Sequence, residues 1–221
     1  HDGLSSPQGN DMMKKTLIAA SLLALFSQAA MAADDWRFAA GVDSWNSQGS
    51  GSIHGVDANG SYDDQYNWTG YLQVEHDIFL LPNAKFEITD FSTSGGSFNN
   101  DLEAYDLTLY YRLLNNDLFK IDLGLTGRQY DGKFHTLNES YDEGELMAYT
   151  GAEVMLPGTG FSFFGDARIE NGDHYDYRLG AAYQFSSIPV QIRAGWRDAA
   201  IDIADMDQGI EGWFIGGAFR F

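Results

Sequence analysis

From Trp36 to Phe221, apolar side chains recur at every second position in one segment after another. A period of two is the signature of strands with two unlike faces, and it leaves no room for a helical scaffold. The last segment is the clearest: Trp213, Ile215, Gly217, Phe219 and Phe221 alternate with Gly212, Phe214, Gly216, Ala218 and Arg220. Ten such segments are visible. The first carries Trp36, Phe38, Ala40 and Val42, the second Trp68, Gly70, Leu72 and Val74, and the third only Phe86 and Ile88. Tyr105 to Leu113, Phe119 to Leu125, Leu146 to Leu156, Phe161 to Ile169, Tyr175 to Phe185 and Val190 to Trp196 precede the terminal run. The first and third are weak, so eight strands stay open as a count.

Connections alternate as well. Short turns sit near Leu81-Pro82-Asn83, Asn115-Asn116-Asp117, Pro157-Gly158-Thr159 and Ser186-Ser187-Ile188. Longer Gly-, Asp- and Asn-rich connections lie at 44–65, 92–100, 129–143 and 199–209, with a short one at Asn171-Gly172-Asp173-His174. This pattern predicts an all-β, antiparallel transmembrane β-barrel with short periplasmic turns, longer extracellular loops and periplasmic termini.

Residues 12–32, MMKKTLIAASLLALFSQAAMA, read as an export signal: Lys14 and Lys15, an apolar stretch from Leu17 to Phe26, and a small-x-small cleavage site at Ala30-Met31-Ala32. The apolar stretch is too short to span a bilayer as a helix. Residues 1–11 precede Met12 and read as upstream sequence or an expression scar, which leaves 33–221 for the barrel. The chain has no cysteine, which excludes disulfides and thiol chemistry, and its net charge of −19 argues against nucleic acid.

If the apolar faces point outward, the opposite faces carry Glu75, Asp77, Glu87, Asp106, Asp122, Glu145, Glu153, Asp166 and Glu170. They also carry Arg37, Lys85, Arg112, Lys120, Arg128, Arg168, Arg178, Arg193, Arg197 and Arg220, leaving Lys133 as the one basic residue of 33–221 expected in a loop. A narrow interior holds little water, so these charges must neutralise one another, and a lumen crosslinked in this way is filled. A soluble sandwich or lipocalin-like barrel would show the same alternation with the apolar face inward. Segment length favours the membrane, as do aromatics at both ends of the apolar faces: Trp68, Tyr105, Tyr175, Tyr177 and Trp196 toward the loops, and Tyr111, Phe119, Phe161, Phe185 and Phe221 toward the turns.

The export signal, the alternating strands and the run Gly212-Trp213-Phe214-Ile215-Gly216-Gly217-Ala218-Phe219-Arg220-Phe221 resemble a family of small proteobacterial outer-membrane β-barrel proteins named for a C-terminal Gly-Gly pair, here Gly216-Gly217. The resemblance implies location and fold, and carries over no catalytic residue. It also implies that Phe221, with Phe219, Ile215 and Trp213, resembles the signal read by the outer-membrane assembly machinery.

For chemistry, His174 with Asp173 and Asp176, and His135 with Asp131, Asp142 and Ser140, are the rim groups from which a hydrolase would be built. His76 has outward parity near a turn and reads as interfacial. Asp57, Asp63 and Asp64, and Asp198, Asp202, Asp205, Asp207 and Glu211, read first as a solvated acidic rim that divalent ions can bridge to anionic surface lipid, and second as a weak divalent-cation site, without EF-hand spacing. The expectation is a monomeric, non-enzymatic outer-membrane barrel with no cofactor, in contact with lipid and lipopolysaccharide, in a structural or surface-interaction role. A small porin and a rim hydrolase are the alternatives.

Overall fold

The computed structural model describes residues 36–53, 56–57, 63–78, 80–95, 98–134, 139–203 and 206–221. The expected export signal, the 1–11 segment, His135 and Asp205 lie outside them. Ten long strands are found among the described residues: β1 (Trp36–Ile53), β2 (Gln65–His76), β3 (Asn83–Asp90), β4 (Phe98–Asn115), β5 (Phe119–Phe134), β6 (Glu139–Met155), β7 (Phe161–Ile169), β8 (Tyr175–Gln184), β9 (Val190–Ile203) and β10 (Met206–Arg220). Each pairs antiparallel with its sequence neighbour, and β10 pairs back onto β1 from Ala39↔Arg220 to Ile53↔Met206, closing the barrel. Two short pieces complete the sheet: Val56–Asp57 folds back on the end of β1, and Thr93–Gly95 extends the β3 edge along the start of β4.

Local chemistry sets the tight turns. Asn116 Oδ1 accepts from the backbone N–H groups of Leu118 and Phe119 at 2.9 and 2.8 Å, an Asx turn between β4 and β5. Between β6 and β7, Gly158 and Gly160 supply the left-handed backbone (φ 76° and 77°) that an L side chain resists.

The ten segments expected from the alternation are all strands, but several run further. β5 and β6 continue to Phe134 and from Glu139, and β9 and β10 to Ile203 and from Met206, so most of the connections expected at 129–143 and 199–209 are strand. Lys133, expected in a loop, pairs in register with Ser140. On β5, β9 and β10 these stretches escaped the pattern because buried Tyr130, Ala199, Ile201, Ile203 and Ile210 lie on the other face. On β9 the outward residues are Ile192, Ala194 and Trp196 up to the aromatic level, then Asp198 and Asp202, while the inward residues change from Arg193 and Arg197 to Ala199, Ile201 and Ile203, all three buried. The sheet therefore carries a lower band, apolar outside and charged inside, and an upper extension with the opposite arrangement.

The exposed apolar belt of the lower band includes Val42, Leu107, Leu109, Leu123, Leu125, Phe163, Leu179, Ile192 and Ile215. Trp196 and Trp213 meet edge to face at its upper border, with ring centroids 5.2 Å apart. His76 keeps the outward phase of Leu72 and Val74, opposite Trp36, but is covered and not exposed. It is buried under the β2–β3 turn, where Nδ1 accepts from the Ile78 N–H (3.2 Å), Nε2 lies 3.2 Å from the Pro82 carbonyl, and the ring packs on Trp36.

Candidate functional site

The lumen is built in layers. At the turn end, Arg112 grips Glu75 and Asp122 together: Nη2 is 2.6 Å from Glu75 Oε1, and Nε is 2.8 Å from Asp122 Oδ1. Tyr110 and Gln73 complete Glu75's surroundings. Lys120 donates to Glu153 (3.0 Å), which also accepts from Ser162, with Arg220 3.9 Å away. A cavity of about 360 Å³ opens here, bordered by Arg37, Glu75, Arg112, Lys120 and Arg220. Asp77 lies beyond β2, exposed, and pairs with Arg37 at 2.9 Å instead of facing the lumen.

Above this layer the charges close ranks. Glu87 accepts from Lys85, Arg168 and Arg178, and Asp166 from Arg168 and Arg178. Arg128 donates two bonds to Asp106 (2.6 and 2.7 Å) and one to Asp176 (2.7 Å). Arg197 grips the same Asp176 at 2.9 and 2.6 Å and donates to Thr69. Lys85, Arg128, Arg168, Arg178 and Arg197 are all buried, so each ion would be costly without these partners. Because the pairs reach across the lumen, they bind strands far apart in sequence, such as β3 and β8 through Glu87 and Arg178.

Asp43 and Asp176 are lumen residues that the sequence reading left out. Both had the inward parity that could have placed them, between Val42 and Ser44 and between Tyr175 and Tyr177. Asp43 binds Arg193, and the β10 backbone makes that pairing fit: a side-chain carbon on Gly216 would collide with the Asp43 carboxylate and the Val42 carbonyl. Gly217 has no such need, since its nearest neighbour would be the Gln191 carbonyl at 3.7 Å. Glu170, expected in the lumen, begins the β7–β8 turn, leaves the strand alternation and is exposed.

Over the charged layer sits an apolar plug that no local pattern announced. Trp45, Phe91, Leu102, Ala104, Tyr130, Ala199, Ile201, Ile203, Ile210 and Phe214 form one buried cluster inside the barrel. Arg197 lies 5.0 Å from the Trp45 ring and 4.9 Å from Phe91, so guanidinium faces join the two layers.

At the rim, His174 is buried, and its partners are not the expected ones. Asp176 turns into the lumen toward Arg128 and Arg197, while Asp173 sits exposed in the turn. His174 instead meets Glu145, Glu170 and Tyr130. Among the described side chains no serine lies in this group. Asp202 and Asp207 of the acidic loops face each other across β9 and β10, and among the described residues Glu145, Glu170 and His174 are the group of three that converges within reach of one ion.

No protein-family model matches the chain, and no curated protein matches it. Among solved structures it is similar to an outer membrane channel from Pseudomonas putida F1, at 11% identity and TM-score 0.50, covering 85% of this chain and 96% of that one. It is also similar to Neisserial surface protein A, at 12% identity and TM-score 0.41, covering 83% of this chain and 97% of the other. A third is the attachment invasion locus protein of Yersinia pestis, at 12% identity and TM-score 0.41, covering 85% and 99%. Identities this low bear on fold alone. The closed ring, the lipid-compatible exterior and the charged interior make the chain a transmembrane barrel of the bacterial outer membrane, with the described ends of β1 and β10 on the short-turn, periplasmic side.

Proposed function

We propose that this chain is a sealed barrel with a structural or surface-interaction role, and not a pore. One observation carries the reading: the buried ion-pair layer around Arg128, Arg168, Arg178 and Arg197 lies directly beneath a buried apolar cluster, so a solute path would have to cross both. Water-filled porin channels have polar interiors throughout, and the plug has the composition of a soluble core. Refolded protein in planar bilayers is expected to give no steady single-channel openings. Regular conductance steps would overturn the sealed reading in favour of a small porin.

The resemblance to the Gly-Gly outer-membrane family belongs to the same proposal, supported by the separate role that the Asp43–Arg193 pair gives to Gly216. Trp213, Ile215, Phe219 and Phe221 lie exposed on the outer face of the closing strand, where the assembly machinery can read them. Phe221→Ser is expected to lower the amount of heat-modifiable barrel in the outer membrane at unchanged synthesis; equal amounts would remove the assembly role. Lipid and lipopolysaccharide are the expected partners of the belt and rim, with the barrel as a monomer and divalent ions held weakly at its acidic loops.

A further inference from the structure

The β7–β8 hairpin is the low step of the rim. β7 and β8 end at Ile169 and begin at Tyr175, whereas β5 and β6 beside them reach Phe134 and start at Glu139. The step tucks His174 against its taller neighbours, where Nδ1 lies 3.0 Å from Glu145 Oε2 and 3.5 Å from Glu170 Oε2. On the far side of the ring, Nε2 is 2.9 Å from the Tyr130 hydroxyl.

We propose that His174, Glu145 and Glu170 bind a single divalent transition-metal ion of the zinc class at the extracellular rim. Their ligand atoms lie within 4.8 Å of one another, a span that one ion can close by drawing each atom to about 2.0–2.2 Å. Charge points the same way. The Glu145 side chain is only 9% exposed, its Oε1 has no hydrogen-bond partner, and among the described residues neither Glu145 nor Glu170 is paired with a lysine or arginine. Arg128, in register with Glu145, spends its guanidinium on Asp106 and Asp176. A buried carboxylate facing another carboxylate without a cation is costly, and a bound ion supplies the missing positive charge.

Tyr130 plays the part of an outer-shell partner: with the ion on Nδ1, the Nε2–H donates to the Tyr130 oxygen and fixes the tautomer and the ring. One imidazole nitrogen with two carboxylates favours zinc-class ions over calcium or magnesium, which prefer all-oxygen shells. Glu170, 42% exposed, opens the site to solvent and leaves a coordination position for water or an outside ligand.

The test is zinc titration of the full-length barrel, refolded in detergent without a polyhistidine tag, with bound metal counted by mass spectrometry. One zinc per chain is expected, undiminished by excess calcium. His174→Gln and Glu170→Gln should each weaken binding at least tenfold, and Tyr130→Phe by about tenfold or more, the usual range for an outer-shell partner. Asp173→Asn, in the same turn but outside the cluster, should leave binding unchanged. Heat-modifiable migration shows that each variant is folded, and Glu170→Gln, at an exposed position, guards against loss of binding through misfolding. No stoichiometric zinc uptake would overturn the proposal and leave His174 with only its contacts to the two carboxylates and Tyr130. Uptake unaffected by both His174→Gln and Glu170→Gln, or displaced equally by calcium, would overturn it too.

Discussion

The lower band and the upper extension use the same backbone and the same alternation, with the residue types exchanged. On β5, Leu123 and Leu125 face outward in the band and Asp131 and Lys133 face outward above it, while the inward positions pass from Asp122 and Arg128 to Tyr130. In the band the outside meets hydrocarbon, where a charge costs about 2–4 kcal/mol at mid-depth, so polarity is confined to the lumen. Above it the outside meets water, and the cheapest filling for the lumen is an ordinary hydrophobic core. A period-two pattern therefore reports which residues share a face, but the medium outside decides which face is apolar.

The largest effect that can sharpen this contrast is expected in the charged layer. Asp176→Ala removes the shared partner of Arg128 and Arg197 and should destabilise the folded barrel by about 3–5 kcal/mol, read by urea unfolding in detergent. A loss below 1 kcal/mol would mean that water reaches the layer. Next, Leu123→Arg and Asp131→Arg place the same charge on the same face of one strand. The first should cost about 2–4 kcal/mol and the second almost nothing, and equal costs would remove the proposed boundary between band and extension. In the plug, Leu102→Ala should cost about 2–5 kcal/mol as a core truncation. Gly216→Ala should disturb the Asp43–Arg193 pair and lower stability, whereas Gly217→Ala should be tolerated; a reversed order would contradict the assigned roles of the pair.

The smallest effect lies outside both layers. Arg37's hydrogen bonds to exposed Asp77 hold its carboxyl below the usual aspartate range. That pair stabilises the fold above the unfolded-state pKa and loses its contribution as pH falls through the depressed folded value. Solvent screening keeps the amount at or below about 0.5 kcal/mol. Asp77→Asn should therefore leave the neutral-pH unfolding midpoint nearly unchanged and flatten its acid dependence slightly.

Much of the barrel was legible in the sequence. The inward parity of Glu75, Glu87, Asp106, Arg112, Asp122, Arg128, Glu153, Asp166, Arg168, Arg178 and Arg193 follows from their neighbours, because successive side chains on a strand must point to opposite sides. The tight turns were legible for the same local reason. The extensions of β5, β6, β9 and β10 were not, since their polar outer faces look like loop, while on β5, β9 and β10 the apolar residues are hidden on the other phase. Nor was the His174 cluster, whose members come from β5, β6 and the β7–β8 turn; the sequence offered only the adjacent Asp173 and Asp176, and neither is a partner.

By itself, then, the sequence determined where the alternating segments of the lower band lie and which of their residues share a face, both of which are properties of short stretches of backbone. Only the closed structure decided which charge meets which, where the lumen turns from salt to oil, and that Glu145, Glu170 and His174 share one pocket. Those facts depend on side chains brought together across the lumen from distant parts of the chain, as when Arg193 meets Asp43 only because β10 closes onto β1.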